Sequence, residues 1–91
     1  MMELYYWKDY QQREIDFVLK YGPQVQQLIQ VSAASASHDI DKREYAALLK
    51  GSEQLRCNNL LILTWDYEAK ETIDKKEIQC IPLWKWLLGF T

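Results

Sequence analysis

Metal-ligand spacing is missing from this chain: its two cysteines, Cys57 and Cys80, form no C-x-x-C pair and have a single histidine, His38, for company. Neither a zinc site nor a redox pair is supported. Each cysteine lies among apolar residues, and both are expected as buried, reduced thiols of a cytoplasmic protein. No apolar run approaches ~18 residues and no charged-then-apolar leader is present, so neither a membrane span nor export is expected. Charge of one sign is lacking too. Eleven basic and thirteen acidic residues leave a net charge of −2, which supplies no general attraction for phosphate. Glycine occurs three times and proline twice, so the breaks at Gly22-Pro23, Gly51, Pro82 and Gly89 stand out.

What is abundant is apolar and aromatic. Hydrophobic residues make up 48% and aromatics 13%, with four Trp and six Tyr, too rich for a disordered chain. Ninety-one residues make one domain, 1–91, with a single core. A chain of this size buries roughly 60 to 65 per cent of the surface its unfolded form exposes.

Glu3 to Trp7 is aromatic and strand-prone, and the polar interval Lys8 to Gln12 has the length of a hairpin connection, so the first two strands are expected to pair antiparallel. In the second strand the two-residue period places Ile15, Phe17 and Leu19 on one face, the core face, and Glu14, Asp16, Val18 and Lys20 on the other. Gly22-Pro23 turns the chain into a third strand, Val25 to Val31. Ser37 or Asp39 can cap a helix from Ile40 to about Arg56, and Asp41 with Glu44 has capping-box spacing. Gly51-Ser52 weakens the middle of this helix without dividing it.

Leu60 to Trp65 is a nearly unbroken apolar run suited to a central strand covered on both faces. Residues 66–76 are charged and show no core pattern; they read as a surface excursion, with a hairpin arm around Thr72-Ile73 as one form of it. Glu77 to Ile81 alternates as a final strand. Pro82 opens and Gly89 closes a short helix, Leu83 to Leu88, in which Lys85 is the one polar residue. The expected order is β-β-β-α-β-β-α, a small mixed sheet flanked by helices.

Tyr5-Tyr6-Trp7-Lys8-Asp9, Arg13 to Leu19, the strand ending Ile29-Gln30-Val31-Ser32, and Ile81 to Leu88 together resemble the C-terminal domain of archaeal and bacterial AAA-type ATPases. That domain is similar to the PD-(D/E)XK nuclease-like superfamily. The resemblance implies a sheet flanked by helices, with an aspartate on the second core strand and an acid-x-lysine motif on the third. Asp16 falls at the aspartate. The acid and lysine positions hold Gln30 and Ser32, so both depart from the catalytic pattern. No G-x-x-x-x-G-K-[ST] loop occurs, so no ATPase module is expected within these residues.

Metal-assisted phosphodiester cleavage needs carboxylates that hold a hard cation through oxygen, and a positive group beside the developing charge. Gln30 offers a neutral carbonyl and Ser32 no charge, so a lone Asp16 implies at most weak magnesium binding. The bland reading of Asp16 is a strand carboxylate paired with Arg13 or Lys20; that of Gln30 and Ser32 is a hydrogen-bonding pair filling the former site. The expectation is therefore a non-catalytic interaction domain with no cofactor, whose partner is a second copy or an AAA-type ATPase. Trp84, Trp86 and Leu87 of the last helix and Tyr5 and Trp7 of the first strand are its candidate interface. A residual divalent-metal nuclease centred on Asp16 and a non-cleaving DNA-binding domain using Lys8, Arg13 and Lys20 are the alternatives.

Overall fold

The breaks at Gly22-Pro23 and Pro82 organise the observed architecture. The computed structural model describes residues 1–89. Three antiparallel strands come first: β1 (Met2–Lys8), β2 (Glu14–Tyr21) and β3 (Gln24–Val31). A 3-10 turn (Ser37–Asp39) leads into α1 (Lys42–Leu55), followed by β4 (Leu60–Thr64), β5 (Ala69–Ile73), β6 (Lys76–Pro82) and α2 (Leu83–Leu88). The six strands form one mixed sheet in the order β1-β2-β3-β4-β6-β5. β4 runs parallel to both β3 and β6.

Every residue of β4 is buried, which matches its apolar run and its central place between two parallel neighbours. The β1–β2 hairpin is antiparallel as the sequence suggests. The strand count differs from the expected order: Ala69–Ile73 is a strand in its own right, antiparallel to β6. Its inward face includes Glu71, so it lacks the alternating apolar pattern that betrays a half-buried strand.

α1 is one continuous helix, but its cap falls on Asp41 rather than on Ser37 or Asp39, which lie in the separate 3-10 turn. The Asp41 carboxylate accepts the Arg43 amide at 2.9 Å, an N-cap bond to the second helical residue, and Glu44 places an acid in the first turn. Gly51 is where α1 presses closest to the sheet. A Cβ there would lie 2.3 Å from Ile15 Cδ1 and 3.3 Å from Leu28 Cδ1. Pro82 ends β6 and caps α2, which spans Leu83–Leu88 as expected, and Gly89 follows the helix.

The main core lies between α1 and the sheet, around Ile15, Val18, Leu28, Leu48, Ile62 and Ile78. The opposite face is thinner: Ile29, Leu61 and Leu63 are buried there under Ile81 and Trp86. This arrangement corrects the faces assigned to β2. Val18 is fully buried beside Ile15, whereas Phe17 is 41% exposed. The cause is a bulge: the β1–β2 register passes from Tyr5↔Val18 to Trp7↔Ile15, so β2 carries an extra residue opposite Tyr6. One inserted residue reverses the two-residue alternation on either side of it.

Candidate functional site

β2 and β3 pair only as far as Phe17↔Ile29. Beyond that point β3 stays with β4, through Gln30↔Ile62 and Val31↔Leu63, while β2 stays with β1, through Trp7↔Ile15. The two strands open into a fork, which deprives the Asp16 amide and Glu14 carbonyl of β2 and the Val31 amide of β3 of main-chain partners. Backbone groups left unpaired in a partly buried place are costly.

Side chains fill the gap. Gln30, 2% exposed, accepts the Asp16 amide on Oε1 at 3.0 Å. Its Nε2 donates to the Glu14 carbonyl at 2.8 Å and to the Glu44 carbonyl of α1 at 3.4 Å. The Asp16 carboxylate in turn accepts the Val31 amide on Oδ2 at 2.9 Å. An N–H faces one end of the Gln30 carboxamide and two carbonyls face the other, which fixes its orientation.

Ser32 bonds elsewhere. Its amide donates to Leu63 O at 2.8 Å, its hydroxyl accepts the Ala34 amide at 3.2 Å, and it meets the Glu44 carboxyl. Gln30 and Ser32 thus close the site separately, not as a bonded pair. Burial, reinforced by the charges of Asp16 and Asp41, pushes the Glu44 carboxyl above its usual range; bonds from the Asp41 amide and Ser32 partly oppose this.

Of the two partners expected for Asp16, Arg13 and Lys20, Arg13 is engaged otherwise, and among the described residues no ion pair joins Asp16 to either. Arg13 Nη1 pairs with Asp9 at 3.1 Å, and Asp9 also accepts the amides of Gln11 and Arg13, each at 2.9 Å, locking the β1–β2 turn. Against the cost of burial, those bonds hold the Asp9 carboxyl below its usual range. Lys8 pairs with Glu14 at 3.8 Å.

The fork floors a cleft of about 740 Å³ between β2, β3 and the start of α1. Its lining holds five carboxylates, on Glu14, Asp16, Asp39, Asp41 and Glu44, against two guanidinium groups, on Arg13 and Arg43. Arg43 pairs with Asp41 at 2.9 Å. Such a surface repels a phosphate backbone. Nor does the donor set fit a divalent cation: the Gln30 oxygen is turned to a backbone amide, the Asp16 Oδ2 to another, and Ser32 carries no charge. Among the described residues, no group of three or more His, Cys, Asp or Glu side chains is placed to hold a metal.

The candidate interface residues divide into two sets. Tyr5 and Trp7 are half-buried and pack against the core beneath α1, and Trp86 packs against Ile29, Leu61 and Leu63. Trp84, 57% exposed, and Leu87 face outward and, with Trp65 and Leu83, enclose a shallow apolar groove of about 290 Å³. Trp65, which the apolar run places in the central strand, lies just past β4 and is exposed. Leu4, Tyr6, Phe17 and Val31 add exposed apolar surface that residue spacing did not single out.

A second polar cluster also escaped the sequence reading. The Glu71 carboxylate accepts from the Tyr45 hydroxyl, from Tyr67 Oη at 3.1 Å and from Ser37 Oγ at 3.0 Å, so β5 is tied to α1, the β4–β5 loop and the 3-10 turn. Its members are scattered over more than thirty positions, and nothing in their spacing announces the convergence.

These features define a small α/β domain with a mixed six-stranded sheet, a polar fork braced by side chains and an apolar outer face. The chain belongs to the family described as Domain of unknown function (DUF4143), which matches residues 1–86. Comparison with curated proteins and with solved structures gave no match.

Proposed function

We propose that this chain is a non-catalytic interaction domain, resembling the C-terminal domain of an AAA-type ATPase, in which a nuclease-like site has been converted into a structural brace. The observation that carries the reading is the double role of Gln30. Its Nε2 donates to the Glu14 and Glu44 carbonyls while Oε1 accepts the Asp16 amide. An ionised acid at position 30 accepts only and cannot make the first two bonds.

The interaction part rests on the outer face. Trp65, Leu83, Trp84 and Leu87 present an apolar groove beside a sheet layer that α2 covers only in part. Exposed aromatic anchors of this kind are enriched at binding hot spots. The partner is a second copy of the chain or an ATPase of the resembling class.

The test pairs two assays. Plasmid and single-stranded DNA are incubated with the protein and Mg²⁺ or Mn²⁺, with Asp16→Ala as control; no metal-dependent cleavage is expected. Cleavage that disappears in Asp16→Ala overturns the non-catalytic reading. Association is followed by analytical ultracentrifugation, alone and with an ATPase of that class, comparing the wild type with Trp84→Glu. A chain that stays monomeric and binds no ATPase removes the interaction part.

A further inference from the structure

β1 is an edge strand whose hydrogen-bonding register can be read from its ends. The Gly22 amide donates to the Met1 carbonyl, and the Asp9 amide to the Arg13 carbonyl. Antiparallel ladders alternate bonded and non-bonded pairs, so Glu3, Tyr5 and Trp7 turn their main-chain groups toward β2. Met2, Leu4, Tyr6 and Lys8 turn theirs outward, and among the described residues no strand lies beyond them. The side chains of the same outward set lie on the thinly covered sheet face, where Leu4 is 58% and Tyr6 54% exposed.

Edges of this sort are normally blunted by shortness, proline, a bulge or a central charge. β1 has none of these: it is seven residues long, its charges sit near its ends at Glu3 and Lys8, and the bulge falls on β2. The other edge, β5, has five residues and carries Lys70 and Glu71.

We propose that β1 pairs antiparallel with β1 of a second copy about a two-fold axis at Tyr5, joining the two sheets; this rests on the interaction reading above and names its partner. An isologous contact must be self-complementary, and this register is. Leu4 faces Tyr6 of the second copy and Met2 faces Lys8 of the second copy, so all four outward residues find partners in about eight main-chain hydrogen bonds. Shifting the strands by two residues leaves one of the four unpaired, and shifting by one puts opposite sheet faces together. Lys8 meets Met2 and Glu3 meets Trp7, so no like charges are opposed.

Sedimentation velocity of the whole chain across the micromolar range tests this. A discrete dimer is expected. Leu4→Pro removes one outward N–H without touching the β1–β2 ladder, and it weakens the dimer at least about tenfold while far-UV circular dichroism stays unchanged. The double variant Leu4→Lys/Tyr6→Lys opposes like charges and is monomeric; Leu4→Glu/Tyr6→Lys opposes unlike charges in the same register and dimerises again. A monomeric wild type, an open-ended series of aggregates, or equal behaviour of the two double variants overturns the proposal. Association that survives all β1 variants but is abolished by Trp84→Glu overturns it too, and leaves the broader interaction reading standing.

Discussion

Gln30 and Asp16 exchange roles across the β2–β3 fork: the side chain of Gln30 accepts the Asp16 amide at 3.0 Å, while the side chain of Asp16 accepts the amide of Val31, the residue after Gln30, at 2.9 Å. Each side chain completes the other strand's backbone: Oε1 of Gln30 and Oδ2 of Asp16 are both taken up by main-chain amides.

Gln30→Glu is therefore expected to destabilise the domain by about 3 kcal/mol at neutral pH, because a buried carboxylate then faces two carbonyls. Burial raises the folded-state pKa of the new acid above its unfolded value. The variant is least impaired below the unfolded value and loses stability as pH rises through the folded one. Urea midpoints measured from acid to neutral pH check both the size and the slope. Gln30→Leu costs a similar amount with no pH dependence.

Glu71 sets a pH dependence of opposite sign. Its hydrogen bond from Tyr45, with those from Ser37 and Tyr67, holds its carboxyl below the ordinary value of 4.5, against the cost of burial. The stability from these bonds is complete above that value and is lost as pH falls through the lower, folded one. Glu71→Gln should flatten this acid limb in pH-dependent denaturation while costing about 1 kcal/mol at neutral pH. An unchanged acid limb refutes the assignment.

Gly51→Ala raises helix propensity by about 1 kcal/mol, yet we expect a net loss, because overpacking a filled core costs about 1 to 3 kcal/mol. The clash is with Ile15 Cδ1, 2.3 Å from the new methyl. Ile15→Val deletes that atom, so Gly51→Ala should be better tolerated in the Ile15→Val background than in the wild type. A double-mutant cycle by chemical denaturation measures the coupling; simple additivity would refute it.

The two tryptophans of α2 should separate stability from association. Trp86 packs on Ile29, Leu61 and Leu63, and Trp86→Ala is expected to cost about 2 to 3 kcal/mol, less than for a fully buried aromatic. Trp84 faces outward, so Trp84→Ala should change stability by no more than about 0.5 kcal/mol. Thermal denaturation of the two variants distinguishes them.

Where local chemistry decides the outcome, the sequence was a good guide. The unbroken run at Leu60 to Leu63 marked the central strand, Gly22-Pro23 the β2–β3 turn, and Asp41 with Glu44 the start of α1. Where one inserted residue or a remote neighbour decides, it was not. The β2 bulge exchanged the places of Phe17 and Val18, because a two-residue period has no way to register an extra residue. β5 was hidden because its inward Glu71 is satisfied by hydroxyls, two from the distant 3-10 turn and α1 and one from the adjacent loop, instead of by apolar contact. Gln30 and Ser32 drew notice through a resemblance, not through the bonds they make. The fork that gives Gln30 its task is a property of how β2 and β3 part company, which no single strand encodes.

The Gln30 carboxamide is chemically a peptide group detached from the main chain, and here it serves as a spare one. Burial and the bonds at both of its ends shield it from hydrolysis. Hydrolytic loss of ammonia would turn residue 30 into a glutamate, break the bonds to the Glu14 and Glu44 carbonyls, and place a sixth carboxylate beside the five already lining the cleft. Such a change would keep the bond that accepts the Asp16 amide and lose the two that reach the Glu14 and Glu44 carbonyls, so the fork would be braced from one side alone.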